Sequence, residues 1–159
     1  MMKIYTLGAD VLRKECAFVE EVDESIMELG QHMIETMYED DGVGLAAPQV
    51  GEDKQIFVCH ARGDKARVFI NPQIIFTSQE LATYEEGCLS VPGVYADVTR
   101  PASITVQALN ERGRPYKLDA DGMLARVIQH EMDHLKGVLF IDHLDEKERQ
   151  KLLKVYSKD

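Results

Sequence analysis

Hydrophobic residues recur at three- and four-residue spacing in three segments of the chain, which is the period of an α-helix with one buried face. These segments are 24–39, 124–137 and about 144–157. Residues 1–22 show no such period and mix short apolar runs with charges. The pattern therefore predicts an N-terminal helix, a second helix near residue 130 and a C-terminal helix, preceded by an extended arm.

Between the first two predicted helices the chain consists of short runs rich in β-branched and aromatic residues, separated by Gly, Pro and Asn. In one of these runs Ile104, Val106 and Ala108 alternate with more polar positions, as in a strand with one buried face. Because the strands come together before the second helix, the pattern indicates an α+β fold of short, mostly antiparallel strands packed around that helix. The six predicted strands are 55–59, 67–76, 80–86, 95–99, 102–110 and 115–119.

The composition is that of an ordinary globular protein, with 45% hydrophobic and 29% charged residues among 159. We therefore expect a single domain over residues 1–159. The net charge of -10 argues against sequence-specific nucleic-acid binding. A local exception is the C-terminal segment, where Arg149, Lys151, Lys154 and Lys158 follow one another without an acidic residue between them. This segment is either a solvated helix face or a basic surface for a partner.

Three cysteines, Cys16, Cys59 and Cys88, are too few and too scattered for a disulfide framework. The N-terminal residues lack the apolar core of a signal peptide, and no apolar run approaches the length of a membrane span. These features predict a cytoplasmic protein with reduced thiols and no membrane partner.

The second predicted helix carries chemistry in the sequence QHEMDH. His130 and His134 lie one turn apart, so their imidazoles can converge on one cation. Glu131 lies beside them and suits the role of proton acceptor for water. A lone histidine on such a face is more often a structural residue than a ligand. The HExxH order of all three instead favours a metal-activated hydrolase.

A catalytic site of this kind commonly needs a third protein ligand. The extended metzincin pattern requires His where this chain has Phe140. A thermolysin-type ligand would have to be Glu146 or Glu148, but little chain follows to build the returning helix. Cys88 is the better candidate, because Gly87 allows a close turn that presents the thiolate at a strand edge.

The glycine-rich stretch GVGLAAPQVG, at 42–51, begins like the dinucleotide fingerprint GxGxxA. An acidic helix end precedes it, and Pro48 stands where a helix would have to continue. Nucleotide binding is therefore disfavoured. A loop whose unhindered backbone approaches a substrate is the better interpretation.

Three segments, GVGLAAPQVG, EEGCLS and QHEMDH, together resemble the peptide deformylases, in this order and over nearly the whole chain. The resemblance implies a hydrolase that removes the formyl group from the N-terminal formyl-methionine of new polypeptides and releases formate. It also implies one divalent metal ion, Fe(II) in the cell, with Zn(II), Ni(II) or Co(II) able to substitute. Nascent formyl-methionyl peptides are then the substrates, and the basic C-terminal helix becomes a candidate ribosome contact.

The resemblance also implies roles for individual residues. Glu131 is the general acid and base, while the Gln49 amide and the Leu89 backbone N–H stabilise an oxyanion. Gly44 presents backbone groups to the peptide. The implied metal ligands are Cys88, His130 and His134. The implied pocket for the methionine side chain consists of Val43, Tyr84, Glu86, Met123, Arg126, Val127 and His130.

Arg126 is a departure, since an apolar residue is common at this position in some members of the family. We expect its aliphatic stem to line the pocket with the guanidinium outside. Two other functions fit the HExxH helix: a zinc peptidase with a Glu ligand, and a structural metal domain closed by a fourth ligand such as His60 or Cys59.

Overall fold

The computed structural model describes residues 2–158, except for the side chains of Ser157 and Lys158, and forms an α+β fold. The α-helices are α1 (Glu24–Glu39), α2 (Gly122–His134) and α3 (Glu146–Lys158). The strands are β1 (Gly44–Ala46), β2 (Ile56–Cys59), β3 (Arg67–Thr77), β4 (Leu81–Cys88), β5 (Val91–Pro101), β6 (Ser103–Leu109) and β7 (Pro115–Asp121). Short 3-10 helices occupy Asp10–Arg13, Ala47–Val50 and Phe140–His143. The predicted fold class is confirmed.

The strands form two sheets in which every strand pairing is antiparallel. Five strands form a sheet in the order β1-β2-β3-β6-β7, and β4 and β5 form a separate two-stranded hairpin. On β6, Ile104, Val106 and Ala108 are buried and the intervening residues are half-buried, as predicted. Strand β1 was not predicted, because it has three residues and lies inside the glycine-rich stretch.

Helices α1 and α2 cover opposite faces of the larger sheet. Asp23 caps α1, since its carboxylate accepts a hydrogen bond from the Ile26 N–H at 3.1 Å. Met33 and Met37 of α1 belong to one apolar cluster of β1, β2 and β3 residues. Helix α2 belongs to a second cluster on the other face, and most of its residues are buried. The HExxH helix is therefore the central helix of the fold.

A third apolar cluster connects β5, the segment after α2 and the C-terminal helix. Val91, Val94 and Val98 of β5 pack with Leu139, Phe140 and Leu144, and α3 adds Leu152, Leu153 and Tyr156. None of the helices in the described part of the chain is long and apolar enough to cross a membrane.

The predicted extended arm is present, with one short helical turn at Asp10–Arg13. The Tyr5 N–H donates to the Gln49 carbonyl at 2.7 Å, and the Leu7 N–H donates to the Ser90 carbonyl at 2.8 Å. The Ser90 hydroxyl in turn donates to the Tyr5 carbonyl at 2.6 Å. The arm thus fastens the glycine-rich stretch to the segment that follows Cys88.

Candidate active site and metal centre

The end of β4 and the last turns of α2 bring three ligating side chains together. One donor atom each of Cys88, His130 and His134 lies within 4.8 Å of the other two. The Cys88 Sγ is 3.4 Å from His134 Nε2. One thiolate and two imidazoles form a donor set that suits a divalent transition-metal ion. The described residues therefore provide a candidate metal centre where the sequence predicts one.

Glu131 lies beside these ligands and is buried, with 3% of its surface exposed. Its Oε1 has no hydrogen-bond partner among the residues that the structure describes. Burial raises the pKa of its carboxyl to about 7, although the nearby His130 opposes this. A buried carboxylate oxygen without a protein partner is expected to bind a polar group supplied from outside the chain.

Gly44 on β1 allows the backbone to approach Glu131. A Cβ atom at this position would lie 2.5 Å from Glu131 Oε2 and 2.9 Å from a methyl carbon of Val127. The absence of a side chain at position 44 therefore leaves the space that the Glu131 carboxylate occupies.

Glu86 on β4 binds the second ring nitrogen of His130. Its Oε1 accepts hydrogen bonds from His130 Nδ1 at 2.9 Å and Arg100 Nη2 at 2.9 Å. Its Oε2 accepts from Arg100 Nε at 2.7 Å and Arg126 Nη1 at 2.6 Å. Burial by itself would raise the pKa of Glu86, but the hydrogen bonds from His130 and Arg100 lower it well below its usual range. Because Nδ1 of His130 donates to a carboxylate, Nε2 is left for a cation.

Arg126 lies where the prediction placed its stem, but the prediction for its guanidinium was wrong. The residue is only 5% exposed, and its guanidinium is buried. Besides Glu86, the group donates to the Val98 carbonyl at 2.8 Å and the Ala82 carbonyl at 2.7 Å. One carboxylate and two carbonyls replace the water that the charge loses, so the guanidinium remains inside.

Gln49 connects the glycine-rich stretch to the cysteine. Its Oε1 accepts from the Ala46 N–H at 2.9 Å, while its Nε2 lies 3.1 Å from the Ser90 hydroxyl and 3.5 Å from Cys88 Sγ. The Ser90 N–H also points at Cys88 Sγ, at 3.4 Å. Two amide N–H donors, one from Gln49 and one from the Ser90 backbone, therefore lie within hydrogen-bonding distance of the thiol.

A cavity of about 390 Å³ opens beside these side chains. Exposed apolar residues at its mouth are Val43, Met123 and Tyr95, of which Tyr95 was not predicted. Tyr84 does not line the cavity, and its ring lies instead 5.1 Å from the Arg126 guanidinium carbon. The predicted residues that line the cavity are Val43, Gly44, Gln49, Glu86, Cys88, Leu89, Met123, Arg126, Val127, His130 and Glu131.

A protein-family model described as polypeptide deformylase matches residues 1–150 of this chain. The chain belongs to the peptide deformylase family. A peptide deformylase of Prochlorococcus marinus (strain NATL2A) is 49% identical over 157 residues, which are 96% of this chain and 78% of the relative. The family predicted from the three sequence segments is therefore confirmed.

Solved structures of deformylases have the same fold. A peptide deformylase from Synechococcus elongatus, crystallised with actinonin, has a TM-score of 0.93 and 45% identity, over 98% of this chain and 86% of that one. The enzyme from Ehrlichia chaffeensis has a TM-score of 0.96 and 37% identity, over 99% of this chain and 96% of that one. Peptide deformylases are metal-dependent hydrolases that remove the N-formyl group from newly made polypeptides, and this is the activity of the chain.

The other candidate ligands of this deformylase lie elsewhere. His60 has both ring nitrogens engaged, Nδ1 with the Tyr38 hydroxyl at 2.7 Å and Nε2 with the Asp64 carbonyl at 2.8 Å. Burial raises the pKa of the Cys59 thiol to about 12 and that of Cys16 to about 11. In the described part of the chain, Cys88, His130 and His134 form the one group of His, Cys, Asp and Glu residues close enough to share an ion.

Several residues around the deformylase site were not predicted. Arg100 and Asp133 continue the hydrogen bonds of Glu86, with Arg100 Nη1 donating to Asp133 Oδ2 at 2.8 Å. Ser90 holds both Gln49 and the arm. One signal was available in the sequence: Arg126 stands among apolar residues that become buried, and a buried charge requires a partner.

Proposed function

We propose that this deformylase works with one divalent cation held by Cys88, His130 and His134. The observation that carries the proposal is the convergence of these three donors within 4.8 Å beside Glu131, a buried carboxylate with an unpartnered oxygen. When bound, a divalent cation supplies Lewis acidity and lowers the pKa of water. The donor set fits Zn(II), Ni(II) and Co(II) as well as Fe(II), and we propose Fe(II) as the ion in the cell, from the resemblance to the family.

Glu131 is the general acid and base in this proposal. Its carboxylate accepts a proton from the water that attacks the formyl carbon, and it then donates that proton to the departing amine. A pKa raised by burial suits both steps, because a group that must accept and return a proton works best when its pKa lies close to the working pH. Gly44 supports this role by leaving the carboxylate room to reach the cavity.

Two donors stabilise the oxyanion that forms on the formyl oxygen. These are the side-chain amide of Gln49 and the backbone N–H of Leu89, which both line the cavity beside Cys88. The hydrogen bonds that Gln49 makes with Ala46 and Ser90 hold its amide in place before the substrate arrives.

Gln49→Ala is expected to lower turnover by about a hundredfold, the loss typical of removing one oxyanion donor. The measurement is formate release at saturating substrate, with cation content determined on the same sample. Ser90→Ala is the matched comparison: it frees the amide from one partner without removing it, so its loss should be smaller. Unchanged turnover in Gln49→Ala would place the donor elsewhere.

The methionine side chain is proposed to enter the cavity between Val43, Met123, Val127 and the aliphatic stem of Arg126. Glu86 forms a wall of this pocket rather than a contact for substrate donors, because its two oxygens already accept four hydrogen bonds. Gly44 presents backbone groups to the peptide. Tyr84 acts on the pocket only through its contact with Arg126.

The first experiment measures formate release from formyl-Met-Ala-Ser by protein prepared anaerobically and loaded with Fe(II), and separately with Zn(II), Ni(II) and Co(II). The acetylated peptide is the control. Formate from the formylated peptide alone supports the proposal, and the relative rates rank the ions. Folded, metal-loaded protein that releases no formate would contradict the proposal.

We also propose that the deformylase is one catalytic domain over residues 1–159, acts in the cytoplasm and contacts the ribosome through α3. Three apolar side chains of α3 pack toward β5, those of Leu152, Leu153 and Tyr156, whereas Lys151 and Lys154 are exposed. The side chain of Lys158, the third lysine of this surface, lies outside the described part of the chain.

Reversing the charge of Lys151 and Lys154 together is expected to weaken co-sedimentation with ribosomes without changing formate release from a short peptide. The matched control reverses Lys14 and Lys65, which are exposed elsewhere and change the net charge equally. Equal co-sedimentation of both double variants and the unaltered protein would show that α3 is only a solvated face.

A further inference from the structure

The metal ligands of this deformylase are carried by two parts of the fold that share no β-ladder. Cys88 ends strand β4 of the two-stranded hairpin, whereas His130 and His134 belong to α2, which packs on the five-stranded sheet. The distance between thiolate and imidazoles therefore depends on how side chains fasten the hairpin to the helix.

Four charged side chains provide that fastening, and we refer to Glu86, Arg100, Arg126 and Asp133 as the hairpin–helix charge cluster. Glu86 and Arg100 come from the hairpin, and Arg126 and Asp133 come from α2. The two positive and two negative side chains leave these four residues with no net charge. The N–O distances of its three ion pairs lie between 2.6 and 2.8 Å.

Arg126 is the member of the cluster that contacts both hairpin strands at once. It donates to the Ala82 carbonyl on β4, the Val98 carbonyl on β5 and the Glu86 carboxylate. The ring of Tyr84, a third β4 residue, also covers its guanidinium. One side chain of α2 thus fixes the position of both hairpin strands relative to the helix.

We propose that Arg126 is a positioning residue that holds the three ligands at their spacing before a cation binds. Its planar guanidinium connects α2 to both hairpin strands and keeps Glu86 against His130 Nδ1. His130 Nε2 and the Cys88 thiolate therefore stay directed at the same cation position. This inference rests on the metal centre proposed above. Preorganised ligands bind more tightly, because less freedom is lost when the ion arrives.

Arg126→Met tests the inference, since methionine keeps an apolar stem for the pocket wall and removes the guanidinium. We expect the dissociation constant for Co(II), measured by the thiolate-to-cobalt absorption in competition with a chelator, to rise about tenfold or more. The turnover of the fully cobalt-loaded variant should change less than the affinity does. Arg62→Met, which alters an exposed arginine outside the cluster, should leave the dissociation constant unchanged.

Arg126→Lys tests the geometry of the guanidinium, because lysine keeps the charge but cannot serve all three acceptors. The variant should bind Co(II) more weakly than the unaltered protein and more tightly than Arg126→Met. It also provides the test if Arg126→Met does not fold. Glu86→Gln should weaken Co(II) binding too, and adding Arg126→Met to it should cost less than the two separate losses together, since both act through one contact.

A merely structural role gives a different result. Arg126→Met or Arg126→Lys would then lower the melting temperature of the metal-free and cobalt-loaded proteins equally and leave the Co(II) dissociation constant unchanged, which would overturn the inference. Cys88→Ala is titrated in the same competition but read from the absorption of the chelator, because this variant lacks the thiolate. If it binds Co(II) as tightly as the unaltered protein, the proposed metal centre fails and the inference with it, whereas weak binding there beside normal binding in both Arg126 variants overturns the inference alone.

Discussion

Glu131→Gln is expected to reduce the turnover of the deformylase by about a hundred- to ten-thousandfold, the usual contribution of a positioned general acid or base. Glutamine has nearly the same shape as the carboxylate but cannot accept a proton from water. Because Glu131 is not among the proposed ligands, the variant should keep its cation. The measurement compares kcat for formyl-Met-Ala-Ser with metal content in the same preparation.

Glu111→Gln is a suitable control, because Glu111 is exposed and lies between β6 and β7, outside the residues that line the cavity. It should turn over substrate as the unaltered protein does. If Glu131→Gln did so as well, with full metal content, the proton would have to be accepted by another group. We expect Glu131→Gln to lose turnover because Glu131 has a buried carboxylate oxygen without a hydrogen-bond partner. Such an oxygen is costly to keep and is typical of a functional residue.

Cys88→Ala is expected to abolish stable metal binding. The change removes one of the three proposed ligands outright, so the loss of affinity should exceed the factor of about 10–100 that the loss of an outer hydrogen-bond partner costs. Metal content after dialysis and formate release should fall together. Alanine at Cys88 leaves the backbone of β4 free to form the same pairing, so the fold itself should persist.

Cys16→Ala is the matched control, because Cys16 is a thiol that lies in an apolar cluster rather than among the ligands. It should retain the cation. Full metal content in Cys88→Ala would exclude the thiolate as a ligand and would require another donor to complete the site with His130 and His134.

Much of this fold was accessible from the pattern of residues. The three helices follow from hydrophobic periodicity, and the predicted bounds of the first, 24–39, coincide with those of α1. The six predicted strands correspond to β2 through β7, because each run was long enough to show β-branched or aromatic residues between turn residues. Strand β1 is different. Its three residues form a strand only because β2 pairs with them, and no local pattern expresses that.

The part of the site that could be predicted consists of residues that are close together in the sequence. His130, Glu131 and His134 lie within one helical turn, so their order alone indicates a metal site. Cys88 and Gln49 could be assigned only by elimination and by resemblance, since the fold brings them to the helix from distant positions.

The charge cluster shows where prediction from sequence stops. The resemblance places Arg126 and Glu86 around the same pocket, but it does not say that the two side chains form an ion pair. With no visible partner, the expected place for a guanidinium was outside in solvent. The partner exists, at 2.6 Å, and the buried position follows from it. Buried charges are therefore the residues for which tertiary contacts must be known before a role is assigned.

The contacts of the N-terminal arm limit when, during synthesis and folding, this part of the enzyme can be completed. The Tyr5 carbonyl accepts a hydrogen bond from Ser90, 85 positions later in the chain. The Cys16 backbone N–H donates to the carbonyl of Leu135, just after the second histidine of the proposed metal centre. Contacts between such distant residues form late, because a long loop must close first. The arm is synthesised before its partners, so these contacts cannot both form until synthesis has passed Leu135.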